Sequence, residues 1–167
     1  VLRRVAAQQN APFTEVDFTK LQITGGDLDA VTFSFDGLDG VRLPLIGSYQ
    51  PRNAALAITA LRVLRAHGWN IPESAIRTGL ETVSWPGRFE LLRHAPAFLL
   101  DGSQNAHVMR DTVQSLKDRF PGQKFVFQMN EAEKAATRAL QNKNLTAALA
   151  QPCDMLVLDE AGSAWEL

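Results

Sequence analysis

The amino-acid sequence predicts an α/β protein whose second half is built on a mostly parallel sheet. Three short apolar runs, at residues 97–100, 124–129 and 155–158, alternate with segments of helical periodicity. A strand–helix–strand–helix–strand order is typical of parallel sheets with right-handed crossovers. With 167 residues, of which 46% are hydrophobic, the chain is long enough for one domain or two partial ones.

The first residues of the chain are interpreted as the end of a helix, and a hairpin follows them. Residues 1–9 carry apolar side chains on one helical face. Residues 31–35 alternate as a strand, and residues 41–46 supply a second one. Two Asp-Gly pairs, at positions 36–37 and 39–40, bracket a tight connection between these strands and predict a β-hairpin.

Two helices follow the hairpin. Asn53 is a favourable N-cap for the first, and Gly68 is a favourable residue just after its end. The predicted apolar stripe of this helix comprises Leu56, Ala57, Ala60, Leu61 and Leu64. Pro72 stands near the start of the second helix.

A domain boundary is predicted after the second helix, because the irregular run 83–88 cannot extend it. We place a first domain at residues 1–83, a linker at 84–88 and a second domain at 89–167.

One helix of the second domain has a clear apolar stripe. Its members are Met109, Val113, Leu116 and Phe120, spaced at i, i+4, i+7 and i+11. A Pro-Gly pair at 121–122 ends this helix. Residues 144–150 have helical spacing between the second and third strands. Three strands make a small sheet, so we expect the domain to be incomplete at its C-terminal end.

Composition excludes several classes of function. The balance of 17 Lys and Arg against 18 Asp and Glu argues against a general binder of nucleic acid or of anionic membranes. A single cysteine, Cys153, excludes an intrachain disulfide and fits a cytoplasmic protein. His67, His94 and His107 lack metal-ligand spacing with each other or with Cys153, so no metal site is predicted.

Three short segments are candidates for chemistry, of which the loop at residues 47–53 is the weakest, because a loop before a capped helix needs its Gly and Asn for backbone reasons alone. Asp101 stands where a predicted strand passes into a helix, which is where ligands gather in open α/β sheets. Its carboxylate can accept hydrogen bonds from ribose hydroxyls, and the helix start favours phosphate; a plain turn is the alternative. Arg88 follows a rigid turn at the domain junction, where its guanidinium can reach a phosphate or can simply lie on a linker surface.

Three segments, in the order in which they occur, resemble one family of enzymes. Residues 43–57 read LPLIGSYQPRNAALA, residues 85–90 read WPGRFE and residues 99–105 read LLDGSQN. They resemble the LPLxGxxQxxNAALA, WPGRFE and LLDGAHN segments of folylpolyglutamate synthases, a branch of the Mur ligase superfamily. The likeness extends from Val1 to about Met129, and beyond it only the strand–helix–strand rhythm matches.

The resemblance implies an ATP-dependent ligase. Enzymes of this family join L-glutamate to the γ-carboxyl of a folate through an acyl phosphate, with ATP and Mg²⁺, and some are also dihydrofolate synthases. Their central ATPase domain carries a P-loop, and their C-terminal domain is a Rossmann-like lid. The chain begins with Val1 and contains no G-x-x-x-x-G-K-[ST] motif. We therefore expect a fragment, inactive alone, with the P-loop and most of the metal ligands outside it.

Site residues follow from the same resemblance. Asn53 matches the family's asparagine beside the nucleotide base, and Gln50 matches a glutamine in the same loop. Arg88 matches the linker arginine that contacts the ATP phosphates and ribose, and it is the expected catalytic residue. Asp101 matches the aspartate that contacts the ribose.

Departures from the family pattern keep two other functions open. Gln104, a weaker candidate for substrate binding together with Asn105, stands where the family has His, and Ala106 stands where it has Pro. Tyr49 replaces a frequent His, and residues 130–134 read NEAEK where the family has an Asp-Lys-Asp loop. The alternatives are a Mur-type ligase acting on a peptidoglycan precursor and a degenerate module that binds a nucleotide or a partner without catalysis.

Overall fold

The structure, a computed structural model, divides the chain into two compact units. It describes residues 1–103, 106–123, 125–128, 155–158 and 164–166. The first unit comprises Val1–Gly26, Ala30–Pro44 and Gln50–Val83, and the second comprises Asp27–Asp29, Leu45–Tyr49 and the chain from Ser84 onward.

Several sequence-based expectations lie outside the described residues. They concern Gln104, Asn105, the NEAEK segment at 130–134 and the helical spacing at 144–150.

The first unit combines a three-stranded antiparallel sheet with three helices. Its elements are α1 (Leu2–Gln8), a 3₁₀ turn (Phe18–Lys20), β1 (Leu21–Gly26), β2 (Val31–Phe35), β3 (Leu38–Leu43), α2 (Gln50–Ala66) and α3 (Glu73–Thr82), with strand order β1-β2-β3. The strand β2 alternates between buried and half-buried residues, as its sequence predicts. The strand β1 was not predicted, because five of its six residues are exposed and two are glycines.

The hairpin forms, but its second strand begins earlier than predicted. Asp36 and Gly37 have φ values of 48° and 83°, which a two-residue turn of the primed type requires. The chain therefore re-enters the sheet at Leu38. The second Asp-Gly pair lies inside β3 at a register shift, where Gly40 adopts a φ of 61°.

The helix α2 begins three residues before the predicted N-cap, so the assignment of Asn53 as N-cap is wrong. Pro51 fits the first turn because its φ is fixed at a helical value and its missing N–H would be unpaired there anyway. The predicted apolar stripe is also wrong, since Leu56, Ala57, Ala60 and Leu64 are exposed and Leu61 is only half-buried. Contacts with β1 and β2 select another face of α2, whose buried residues are Gln50, Pro51, Ala54, Ala55 and Ile58.

The described residues of the second unit form two small sheets and one long helix. Its elements are β4 (Glu90–His94), β5 (Ala97–Leu100), α4 (Ala106–Arg119), β6 (Phe125–Gln128), β7 (Met155–Leu158) and β8 (Ala164–Glu166). The strands β4 and β5 form an antiparallel pair, while β6-β7-β8 form a sheet with one parallel and one antiparallel pairing.

The α/β class is confirmed, but the described strands form only one parallel pair. The strand predicted at 97–100 does not belong to a parallel sheet. It lies antiparallel to β4, a strand that the sequence analysis missed. Only two residues, at positions 95–96, separate β4 from β5. A connection that short closes an antiparallel hairpin, because a parallel pair needs a crossover of a dozen or more residues.

The core of the second unit lies on the predicted stripe of α4. All four stripe residues, Met109, Val113, Leu116 and Phe120, are 5–9% exposed, which confirms that prediction. A buried cluster of Ile46, Phe89, Leu116 and Phe120 is surrounded by the partly buried Leu28, Leu91, Leu99 and Phe125. Among the described helices, none has both the length and the apolar character needed to cross a membrane.

Candidate functional site

The turn that carries Arg88 has an unusual backbone on both sides of that residue. Gly87 has a φ of 74°, which glycine adopts freely, and Phe89 has a φ of 51°, which costs energy for a bulky side chain. Phe89 is nevertheless buried in the core with 1% of its surface exposed. The side chain of Arg88 is therefore presented by a tight turn whose next residue is anchored in the core.

The carboxylate of Asp101 accepts three hydrogen bonds. Its Oδ1 accepts from the backbone N–H of Phe89 at 3.1 Å. Its Oδ2 accepts from the hydroxyls of Ser103 and Thr112. Asp101 therefore ties the Arg88 turn to the start of α4.

Backbone contacts join the same two segments a second time. The N–H of Gly102 donates to the carbonyl oxygen of Gly87 at 2.8 Å. The N–H of Gly87 in turn donates to Oε2 of Glu90 at 2.7 Å. A Cβ at Gly102 would lie 3.3 Å from the Gly87 oxygen, so a glycine suits this close approach. We call this set of bonds the clasp: it joins Gly87 and Phe89 to residues 101–103, with Glu90 bonded to Gly87 and Thr112 bonded to Asp101.

The guanidinium of Arg88 is available to a ligand. Arg88 is exposed, and within the described part of the chain its side chain makes no hydrogen bond or ion pair. A planar group with five donors in this position can engage a phosphate or a carboxylate. The structure thus combines a fixed backbone with a free cationic side chain at the predicted catalytic position.

The loop before α2 contributes to the second unit. Arg119 donates from Nε to the carbonyl of Ile46 at 2.9 Å, and the N–H of Ser48 donates to Oγ of Ser115 at 2.9 Å. The hydroxyl of Ser48 also donates to Asp118 at 2.5 Å. These bonds fix residues 45–49 against α4.

Tyr49, at the end of this loop, has a buried hydroxyl without a hydrogen-bond partner among the described residues. Burial, and then the negative charge of Asp101, raise the pKa of the Tyr49 phenol to about 12, while Arg88 acts in the opposite direction. The phenol is therefore a neutral donor that lies within electrostatic range of both predicted site residues.

The two remaining predicted residues lie in the first unit. Gln50 and Asn53 share the first turn of α2, where Nδ2 of Asn53 donates to Oε1 of Gln50 at 3.2 Å. Gln50 is 6% exposed, whereas Asn53 is exposed. The structure therefore brings the predicted residues together as two pairs, one in each unit.

Sequence reasoning missed the hydroxyl groups that support Asp101. Thr112 and Ser103 are 4% and 2% exposed. Thr112 comes three residues after Met109 and so lies on the core face of α4, where a polar side chain needs a partner. That position was a usable signal, but its partner lies across a turn and only the fold reveals it. No group of three His, Cys, Asp or Glu side chains in the described ranges could hold a metal ion.

Comparison with known proteins gives a consistent set of likenesses, although no family model matches the chain. The dihydrofolate synthase/folylpolyglutamate synthase of Bacillus subtilis is 32% identical over 126 residues, covering 72% of this chain and 29% of that protein. The crystal structure of folylpolyglutamate synthase from Thermotoga maritima has 25% identity and a TM-score of 0.68, covering 95% of this chain and 37% of that one. A Mycobacterium tuberculosis folylpolyglutamate synthase complexed with ADP and AMPPCP has 24% identity and a TM-score of 0.62, covering 77% and 30%.

The structural likenesses show the fold class of the chain: it has the α/β fold of the solved folylpolyglutamate synthases. The Bacillus subtilis relative is named, more specifically, dihydrofolate synthase/folylpolyglutamate synthase, and its likeness agrees with the family that the three motifs indicate. The chain spans less than a third of the length of its Bacillus subtilis relative.

Proposed function

We propose that the chain is part of an ATP-dependent ligase that adds L-glutamate to the γ-carboxyl of a folate through an acyl phosphate. Dihydrofolate synthase activity in the same protein is consistent with the names of its homologues. On this proposal residues 1–83 end the ATPase domain, 84–88 form the linker and 89–167 form a Rossmann-like lid. The enzyme works in the cytoplasm on small molecules, with Mg²⁺ ligands mainly outside these residues.

The proposal depends on one observation: Arg88 has an exposed side chain on a fixed backbone. Its guanidinium is exposed and has no partner within the described part of the chain, while the clasp fixes the backbone on both sides of it. A preorganised cationic donor of this kind stabilises charge that develops on a transferred phosphoryl group. The exposed Arg88 and its fixed backbone therefore fit a nucleoside triphosphate, with Arg88 donating to its phosphates.

The other predicted residues have narrower roles on this proposal. Asp101 already accepts three hydrogen bonds, and a carboxylate offers about four lone-pair sites, so it can accept from one ribose hydroxyl at most. Asn53 and Gln50 contribute amide groups beside the nucleotide base. Gln104 and Asn105 remain candidates for substrate binding. ATP supplies the phosphoryl group that activates the carboxylate for attack by the amine of glutamate.

Replacement of Arg88 tests the proposal. In the full-length protein, Arg88→Ala should lower the turnover of folate and glutamate at least about tenfold without unfolding the chain. Arg88→Lys should recover only part of the loss, because an ammonium group lacks the planar fork of donors.

A matched control separates this effect from a general loss of positive charge. Arg4 is also exposed, and its side chain has no partner in the described part of the chain, so Arg4→Ala should leave turnover unchanged. If Arg88→Ala behaves like the control in steady-state assays, the proposed role of Arg88 is wrong.

A further inference from the structure

The hydroxyls of Ser103 and Thr112 form a buried pair that contacts Asp101. We propose that these two side chains are positioning residues for Arg88, acting through Asp101 and the backbone of Phe89. The functional part of this inference rests on the proposed role of Arg88 as a phosphate donor.

The burial of these hydroxyls is the first argument. Both residues are almost completely buried, with 2% and 4% of their surfaces exposed. The two hydroxyls carry two hydrogens between them, and both can be donated to Oδ2 of Asp101. Two buried hydroxyls that both donate to one carboxylate oxygen favour a single rotamer of that carboxylate, because rotation would give up two hydrogen bonds to a charged acceptor.

The second argument is the hydrogen bond between Asp101 and the backbone of Phe89. Asp101 uses its other oxygen, Oδ1, to accept from the N–H of Phe89, whose φ of 51° is unfavourable for an aromatic residue. A backbone held in such a region persists only where its surroundings impose it. The carboxylate and the buried ring of Phe89 together supply that constraint, and Arg88 is the preceding residue.

The third argument concerns the other side of Arg88. Gly87 is bonded through its N–H to Glu90 and through its carbonyl to Gly102. Both neighbours of Arg88 are thus fixed, while its own side chain has no partner among the residues that the structure describes. A donor whose backbone is already ordered loses less freedom when it binds a phosphate, so loosening of the clasp weakens that contact without removing the donor.

A double-mutant cycle tests the proposal in the full-length enzyme. Ser103→Ala with Thr112→Val should lower kcat/KM for ATP at least about tenfold in the wild-type background. The same pair of changes should alter kcat/KM less than about twofold in an Arg88→Ala background, because the group they position is then gone. Thr112→Ser keeps the hydroxyl and should remain within about twofold of the wild-type value.

The control variant is Thr59→Val in α2. Thr59 donates its hydroxyl to the carbonyl of Ala55 at 2.8 Å, just as Thr112 contacts the carbonyl of Val108, but no carboxylate in the described part of the chain accepts from Thr59. Thr59→Val should leave kcat/KM for ATP unchanged. An equal loss in the wild-type and Arg88→Ala backgrounds would overturn the positioning role.

Amide hydrogen exchange gives a readout that does not depend on activity. Thr112→Val alone should speed exchange of the Phe89 amide at least about fivefold while leaving amides of β2 unchanged. Unchanged exchange at Phe89 would overturn the proposal even if the double variant does not fold. Faster exchange, combined with normal turnover of Arg88→Ala, would support the positioning of this turn and refute the proposed function of Arg88.

Discussion

The two units of the chain use charged side chains in different ways. In the first unit an exposed network joins Lys20, Asp36, Arg62, Glu73 and Arg65. Its side chains are 21–51% exposed, and the bonds run between long side chains of separate elements. In the second unit the carboxylate of Asp101 accepts from one backbone N–H and two hydroxyls of buried residues.

The difference shows what each arrangement is able to do. Exposed ion pairs are screened by water and salt and contribute little to stability. A half-buried carboxylate bonded to donors of buried residues is harder to replace, because its loss removes the acceptor of the Phe89 N–H and a charged acceptor of both hydroxyls. The clasp can therefore fix the backbone of the turn that carries Arg88, while the network adds small increments of stability between the β2–β3 turn, α2 and α3.

The largest expected effect comes from removal of the central carboxylate. Asp101→Ala should lower the free energy of unfolding by about 2–3 kcal/mol, because three donors lose their acceptor. Urea denaturation measures this change. Asp39→Ala is the control, since Asp39 is exposed and its carboxylate has no bond in the described part of the chain. Equal losses in the two variants would remove the distinction between the two units.

Removal of the central cation of the network should have a smaller effect. Arg62 contacts Glu73 and both the carboxylate and the carbonyl oxygen of Asp36. Arg62→Ala should lower the free energy of unfolding by about 1 kcal/mol, and the difference should shrink in high salt. Thermal unfolding at low and high ionic strength checks both statements. A loss as large as that of Asp101→Ala would contradict the comparison.

Removal of the Tyr49 hydroxyl should cost almost nothing. This buried oxygen has no hydrogen-bond partner among the described residues, so Tyr49→Phe removes a polar atom that contributes no bond. We expect a change in the free energy of unfolding within about 0.5 kcal/mol, or a small gain. A loss above about 1.5 kcal/mol in urea denaturation would show that the hydroxyl has a partner.

The smallest expected effect is the pH dependence of the Glu73 contacts. Hydrogen bonds from Arg62 and Arg65 lower the pKa of Glu73 below its ordinary value of 4.5. A carboxylate with a lowered pKa stabilises the fold above its unfolded pKa, and this contribution disappears as the pH falls through the folded pKa. The difference in stability between the wild type and Glu73→Gln should therefore decrease as the pH falls below the ordinary value of 4.5, and it should vanish once the pH lies below the lowered pKa of the folded state. A difference that grows on acidification would contradict this assignment.

Local patterns predicted part of the fold and of the site. The stripe of α4, the strand at 155–158 and the Asp36-Gly37 turn follow from periodicity and turn chemistry alone. The strands β1 and β4 were missed because their residues are mostly exposed or lie beside an irregular turn. For the candidate site, the motifs predicted Arg88 and Asp101, but not the buried hydroxyls that donate to Asp101.

The sequence by itself determined the α/β class, the likeness to folylpolyglutamate synthases and the candidate residues, since these depend on residue types at fixed spacing. Tertiary structure alone decided which face of α2 is buried, because contact with the sheet outweighs the local apolar pattern. It also decided that residues 85–90 and 101–103 form one clasp with Thr112. Hydrogen bonds between segments more than ten residues apart leave no periodic trace in the sequence, so only the folded chain shows them.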